Sequence, residues 1–305
     1  MKTLLKWLGI AVTALVCVLL LGASIVYAVS NKHINRRWHD VGATWITVPK
    51  DSATVARGRH LGQAIAKCVD CHGEDLGGTM FIDDPGFGRI IAPNITTGRG
   101  GHLTRYSDQQ LTRLLQHGIK SDGRGAVIMP ADGYTHLSDP DLVSIIAWLR
   151  SMPPVDREWP APTWGPVFRA LVTFGLLPVF PADKIDHAHR TSPTPIEAGP
   201  SPEYGRYLTV IGGCSFCHNP SYSGGKIVGA DPKSPPAANL TPEGIGPWTE
   251  ADFFHVLREG KDPHTGRAID ERYMPWKNAG RMTDEEIHAI WLFLKTLPSK
   301  EFGVR

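Results

Sequence analysis

Cys68-Val69-Asp70-Cys71-His72 and Cys214-Ser215-Phe216-Cys217-His218 repeat one pattern, Cys-x-x-Cys-His, within a single chain. This is the attachment signature of c-type haem. Two thiols at this spacing can form thioethers with the two vinyl groups of one haem, and the adjacent imidazole then sits under the iron as its proximal ligand. With 5 Cys and 13 His in 305 residues, chance supplies roughly 0.003 such matches per chain. The pattern therefore predicts two covalently bound haem c groups, one on Cys68 and Cys71 and one on Cys214 and Cys217, with His72 and His218 as axial iron ligands. Two other uses of the same residues exist. A thioredoxin-like dithiol wants a βαβ context, which neither copy has. A zinc site wants further ligands, and the one remaining cysteine is Cys17, in an apolar N-terminal run.

Four of the five cysteines are taken by the motifs, which leaves none for a structural disulfide. The length suits about two domains and a connector. Lys and Arg total 32 and Asp and Glu total 30. Residues 1–30 hold only Lys2 and Lys6, so the remainder balances 30 basic against 30 acidic residues. No basic stripe or polybasic tail is present, and nucleic-acid binding has no support.

Met1 to Lys6 is short and basic, and Trp7 to Val29 is a run of 23 uncharged, mostly aliphatic residues. That length crosses a bilayer as one helix. A cleaved signal peptide is the rival, with Val26-Tyr27-Ala28 as its cleavage site, although its apolar core is usually about 7–15 residues. Length favours a retained anchor. Lys2 and Lys6 place the amino end inside, whereas Lys32, Arg36 and Arg37 argue the other way. The haem motifs decide the orientation, because c-type haem is attached on the outer side of the bacterial inner membrane. The expected location is the inner membrane with the haem domains in the periplasm, or the periplasm if the N-terminus is cleaved.

The two motif regions are copies of one unit. Arg57-Gly58-Arg59-His60-Leu61 matches Tyr204-Gly205-Arg206-Tyr207-Leu208, and Ala92-Pro93-Asn94-Ile95-Thr96 matches Ala237-Ala238-Asn239-Leu240-Thr241. Ile128-Met129-Pro130 matches Tyr273-Met274-Pro275, and the Trp148 helix matches the Trp291 helix. A first helix leads into each motif. Ser107-x-x-Gln110 and Thr249-x-x-Asp252 open a short helix in each unit, and Ser138 and Thr283 open the last one. Gly58 and Gly205 lie inside first helices, where glycine costs stability; close contact with the last helix would explain them. The fold class is mainly α, with residues 1–30 as anchor or signal peptide, 50–152 as domain 1, 153–202 as a linker and 203–300 as domain 2. Residues 153–203 hold 11 of the 25 prolines, which marks a connector with semi-rigid stretches. Within it, Trp164 to Phe180 is apolar apart from Arg169. It can lie on the membrane, dock on a partner or pack on the protein's own body, and own-body packing is the expectation.

A sixth ligand completes each iron. His72 to Met129 spans 57 positions and His218 to Met274 spans 56. Each methionine precedes a proline at the same repeat position, so Met129 and Met274 are the expected axial partners. Met80, Met152 and Met282 have no repeat counterpart, nor do His60, His117, His136, His255, His264 and His288. The proximal rings need an acceptor for their other N–H. A carbonyl near Pro93 suits the first unit, with no equivalent assigned in the second. Asn94 and Asn239 recur and can reach a propionate or serve as turn residues.

Phe87-Gly88-Arg89-Ile90-Ile91-Ala92-Pro93-Asn94-Ile95-Thr96, the later Met-Pro and the closing Trp helix resemble the cytochrome c subunits of membrane-bound alcohol, aldehyde and gluconate dehydrogenases. Asn239 to Trp248 fits the same pattern. The resemblance covers about 55–152 and 203–298, and not the proline-rich connector. Those subunits typically carry three haems, whereas this chain has motifs for two. The resemblance implies two tandem class I cytochrome c domains behind an N-terminal transmembrane helix. It also implies His/Met ligation and electron flow from a periplasmic dehydrogenase, or another redox partner, towards quinone or a terminal oxidase. The competing reading is a di-haem enzyme of the peroxidase or thiosulfate-oxidising type. It needs an iron that opens to substrate, and two intact, equivalent methionines argue against one. No catalytic residue is assigned.

Overall fold

The computed structural model describes residues 2–189, 195–228, 230 and 233–304. A long first helix, α1 (Lys2–Ile34), precedes two helical units. The first unit contains α2 (Ser52–His60), α3 (Cys68–His72), a hairpin of β1 (Thr79–Asp84) and β2 (Gly88–Ala92), α4 (Asp108–His117), α5 (Ala131–Tyr134) and α6 (Asp139–Ser151). After α7 (Pro166–Thr173) the second unit contains α8 (Pro202–Ile211), α9 (Cys214–His218), α10 (Pro242–Ile245), α11 (Glu250–Glu259), α12 (Trp276–Ala279) and α13 (Asp284–Thr296).

Each unit closes by crossing its first helix on its last, α2 on α6 and α8 on α13. The crossing is as tight as the glycines suggest. A Cβ on Gly58 would stand 1.7 Å from the Ser144 carbonyl oxygen, and one on Gly205 would stand 1.9 Å from that of Ala289. One turn on, Gly62 leaves room for the Trp148 ring, which would otherwise lie 2.0 Å from a Cβ. After His60 the first helix widens into a single π turn, Leu61–Ile65, closed by Ala66 N–H on the Leu61 carbonyl at 2.7 Å. Such a turn spends an extra residue and re-aims the chain just before the first motif.

The helix starts follow their sequence signals. Ser107 with Gln110, Thr249 with Asp252 and Thr283 with Glu286 each form reciprocal capping boxes. Ser138 accepts from the Asp141 amide. The β1–β2 hairpin was not anticipated. Its strands pair antiparallel with a register shift between Met80 and Ile82, and they are too short for a clear alternation. Among the described residues, the matching stretch of unit two makes an isolated bridge, Gly225 to Ala237, in place of a hairpin.

One apolar core runs through both units. It includes Leu61, Ile146 and Trp148 from the first and Leu208, Ile287 and Leu294 from the second. Polar contacts across the seam are reciprocal. His60 of α2 lies 2.7 Å from Glu286 of α13, and Tyr207 of α8 donates to Asp141 of α6 at 2.7 Å. These are equivalent positions of the repeat, used once in each direction. Arg57 joins the two acids, 3.0 Å from Asp141 and 3.5 Å from Glu286.

The connector straps onto unit one. Asn94 holds the Val155 and Arg157 carbonyls, and the Trp159 indole donates to Gly77 O at 2.9 Å. Phe168 and Val172 of α7 join Ile34 and Ile90 in a second, smaller core. Phe168, Val172 and Leu177 of the apolar stretch therefore pack against the protein's own body, at the carboxyl end of α1, whereas Phe174 and Leu176 stay exposed.

Two outcomes follow from this packing. Gly58→Ala should destabilise by about 3 kcal/mol, because backbone rather than a flexible side chain must yield; thermal unfolding of the haem-loaded protein measures it. Burial by itself raises the Glu286 carboxyl, but hydrogen bonds from His60 and the Thr283 amide and the nearby charges outweigh it. The carboxyl is thereby held below its ordinary 4.5. A lowered folded value means that this stabilisation is complete above 4.5 and disappears as pH falls through that lowered value. Glu286→Gln should cost about 1–3 kcal/mol at neutral pH, with the gap closing on acidification, as read from denaturant midpoints across that range.

Candidate functional site

The motif-bearing helices α3 and α9 are set by the same backbone in both units. Lys67 and Gly213, immediately before the first cysteines, take left-handed conformations (φ 50° and 69°). After the histidine the chain doubles back. Gly78 N–H bonds the His72 carbonyl at 2.8 Å, and Gly224 N–H bonds the His218 carbonyl at 3.0 Å. Leu76 and Tyr222 then accept from Ile95 and Leu240 at 2.9 and 2.8 Å, which brings the Asn94 and Asn239 segments alongside.

That approach supplies the acceptor each imidazole needs. His72 Nδ1 lies 2.8 Å from Pro93 O, and His218 Nδ1 lies 2.8 Å from Ala238 O. A carbonyl only accepts, so Nδ1 carries the hydrogen and each Nε2 keeps a free lone pair. The equivalent in unit two was not assignable from sequence because Ala replaces Pro. The acceptor is backbone, so the side chain is irrelevant. Burial lowers the pKa of both histidines and keeps them neutral, the form that binds a metal.

The thiols are not those of a reactive dithiol. Burial pushes Cys68 up to about 12 and Cys71 up to about 11, and it raises Cys214 and Cys217 as well. An activated pair is shifted the other way. Among the described residues, no three His, Cys, Asp or Glu side chains converge as ligands for a bare ion. Paired thiols beside one oriented imidazole nitrogen suit a covalently held haem, which brings its own metal.

Met129 and Met274 are half-buried against the main core. Their settings match. The Ala131 amide bonds the Met129 carbonyl at 2.8 Å and the Trp276 amide bonds that of Met274 at 2.7 Å. Pro130 and Pro275 precede the four-residue helices α5 and α12 with nearly equal angles. Three of the histidines without a repeat counterpart have polar partners of their own. His117 meets His187 at 3.1 Å, His255 meets Glu259 at 3.1 Å, and His288 meets Glu250.

Of the two roles open to Asn94 and Asn239, the structure shows the turn role: both side chains are engaged with the protein. Each side-chain oxygen accepts from the amide and hydroxyl of the threonine two residues on, Thr96 or Thr241. Each side-chain amide holds a strand packed over it, Val155 in unit one and Lys300 in unit two. The turn reading of asparagine was the physical one.

Comparison with known proteins agrees with this geometry. Residues 203–298 match the family Cytochrome c, and residues 53–149 match Cytochrome C oxidase, cbb3-type, subunit III. The chain carries two cytochrome c domains. It is 28% identical over 81% of its length to the fructose dehydrogenase cytochrome subunit of Gluconobacter japonicus, covering 53% of that protein. It is 26% identical over 82% of its length to the gluconate 2-dehydrogenase cytochrome c subunit of Pantoea cypripedii, covering 61% of it. A diheme cytochrome c-type protein of Cereibacter sphaeroides is 25% identical over 84% of the chain, and 93% of that relative is covered. The chain thus spans little more than half of the dehydrogenase subunits it matches. Two cytochrome c domains bring two covalently bound haem c groups, and with them one-electron transfer.

The mass of the mature protein should exceed that of the polypeptide by two haems. Both should survive acid extraction, as a thioether requires. Cys214→Ala with Cys217→Ala should release one haem and leave the other covalently bound.

Proposed function

We propose that this chain is a membrane-anchored di-haem electron carrier, passing single electrons between a dehydrogenase and a respiratory acceptor, with both domains in the periplasm. Cys68 and Cys71 hold one haem and Cys214 and Cys217 the other, in domains spanning about 50–152 and 203–300. His72 and Met129, and His218 and Met274, are the axial pairs. Each haem, when bound, supplies a one-electron Fe(III)/Fe(II) couple.

The observation that carries this reading is the contact between the two motif segments. Lys67, the residue before Cys68, donates from Nζ to the Gly212 carbonyl at 2.7 Å, two residues before Cys214. Asn278 of α12 donates to Asp70 inside the first motif. Reciprocally, α5 packs on α8, so that Gly133 approaches the Val210 carbonyl and the Phe216 ring within the second motif. Each attachment segment is thus covered by the short helix that follows the other domain's methionine. Adjoining, firmly seated sites favour internal electron exchange, and the one seam orients both domains. Each imidazole is already oriented by a backbone carbonyl, which limits the rearrangement an iron on Nε2 would require.

A carrier needs both irons closed, and the matched Met129 and Met274 loops support that over an enzyme with one open haem. The retained-anchor reading is supported by α1, which is long and apolar enough to cross a membrane. Its last turn is built into the body: Ser30 and Ile34 are buried, and Thr173 Oγ1 bonds the Val26 carbonyl at 3.2 Å. Cleavage after Ala28 would remove that contact. The relatives named as dehydrogenase subunits support a dehydrogenase as electron donor.

The reduced protein should show two low-spin haems and resist carbon monoxide. Met129→Ala and Met274→Ala should each open one iron to carbon monoxide and lower that haem's potential. An unchanged spectrum would refute that ligand, and turnover of peroxide by the unaltered protein would refute the carrier.

A further inference from the structure

The connector's apolar turn has a neighbour that decides what covers it. Helix α7 lies antiparallel along the end of α1. Arg169 bonds Ser30 and Asn31 at 3.0 and 2.8 Å, and its guanidinium sits 4.4 Å from the Tyr27 ring centroid. Four residues later, Thr173 reaches the Val26 carbonyl. Moving forward along α7 therefore means moving back along α1, towards its amino end. Trp7 and Tyr27 are 20 residues apart, about 30 Å of helix, which is the thickness of a bilayer's hydrocarbon with aromatics at its two boundaries. Arg169 stands at the Tyr27 level, and Phe174 lies about 7 Å further in.

The turn is made for that depth. Residues 170–182 carry no charge. Phe174 and Leu176 expose 69% and 62% of their surface, while Leu177 folds back into the small core. The chain reverses at Gly175, in the left-handed region at φ 68°. The amides of Phe174, Gly175 and Leu176 are all bonded internally, to the carbonyls of Ala170, Val172 and Leu171. This is the usual closure of a helix end at a left-handed glycine, and it leaves these amides needing no partner from solvent, as a lipid environment requires of them.

We infer that the Phe174-Gly175-Leu176 turn is a second membrane contact, buried in the acyl chains of the leaflet at the carboxyl end of α1. This rests on the reading of α1 as a membrane anchor. Two contacts fix an orientation that a single helix leaves free. Just past the turn, the Val179 carbonyl accepts from Ile128 N–H at 2.8 Å, beside Met129. The loop of the first domain's methionine is thereby tied to the membrane contact.

The test uses the full-length, haem-loaded protein with Cys17→Ser, reconstituted in phosphatidylcholine–phosphatidylglycerol vesicles. A nitroxide is attached singly at Phe174→Cys, Leu176→Cys, Val18→Cys within α1, or the exposed Phe302→Cys just after domain 2. Accessibility to oxygen, which partitions into hydrocarbon, is compared with that to a water-soluble nickel chelate. The expected oxygen-to-nickel ratio at 174 and 176 is several-fold above that at 302 and approaches that at 18. If 18 is oxygen-rich while 174 and 176 match 302, the turn faces water or a protein partner, and the inference fails although the anchor stands. If 18 itself matches 302, the anchor reading fails and takes the inference with it.

Discussion

Two helix crossings, each with a glycine pressed against a backbone carbonyl, hold the protein in its working shape. At Gly58 and Gly205 the first helix of a domain lies so near the last that no side chain fits between them. The first helix leads directly into the motif, and the last begins just after the methionine helix. Bringing their backbones together therefore fixes the segment that carries the imidazole and the two thiols against the rest of its domain. The π turn at Leu61–Ile65 makes a local adjustment in domain 1, ahead of a motif whose backbone then follows the same path as its copy. Carbonyls of the Asn94 and Asn239 segments finish each site by orienting the ring from behind.

Duplication did more than double the haem count. The two domains meet through equivalent faces, so that one seam serves both. His60 reaches Glu286 and Tyr207 reaches Asp141, each from a first helix to the opposite last helix. Glu286 also closes its own helix's capping box, and Asp141 donates its amide to the Ser138 cap. The same two acids thus terminate a helix and join a domain. A seam of satisfied, mostly buried polar groups specifies one relative orientation more sharply than apolar contact alone. For electron exchange, a fixed orientation matters more than extra stability.

From Val155 to Phe180 the proline-rich connector is a strap rather than a flexible tether; the part over 190–194 lies outside the described residues. Its first part is pinned over the Asn94 turn, and its second part is packed between the hairpin of domain 1 and the end of α1. Proline suits this use, because a strap lying across other backbone needs few N–H donors and little freedom to lose. The hairpin of domain 1 gives the strap a surface to lie on, and Thr163 accepts from the Arg89 amide and donates its own amide to the Arg89 carbonyl.

Much of this was legible along the chain because the relevant chemistry is local. Covalent attachment needs a Cys-x-x-Cys-His spacing, a capping box needs residues three apart, and a span needs an unbroken apolar run. The paired glycines, Met129 and Met274 stood out only because the repeat allowed each to be checked against its copy. Other features had no signal of that kind. A carbonyl acceptor looks the same whether Pro93 or Ala238 bears it, so the partner of His218 could not be read from residue type. Asparagine serves turns and ligands alike, and only the neighbouring Thr96 and Val155 backbone showed which. Contacts such as Lys67 with Gly212, or His60 with Glu286, join positions about 145 and 226 residues apart. No local pattern encodes such a distance. Sequence determined the cofactor chemistry and the duplicated helical unit, since both depend on residues a few positions apart. Tertiary structure alone decided how the two sites face each other and what the connector covers, since those depend on which surfaces are complementary once folded.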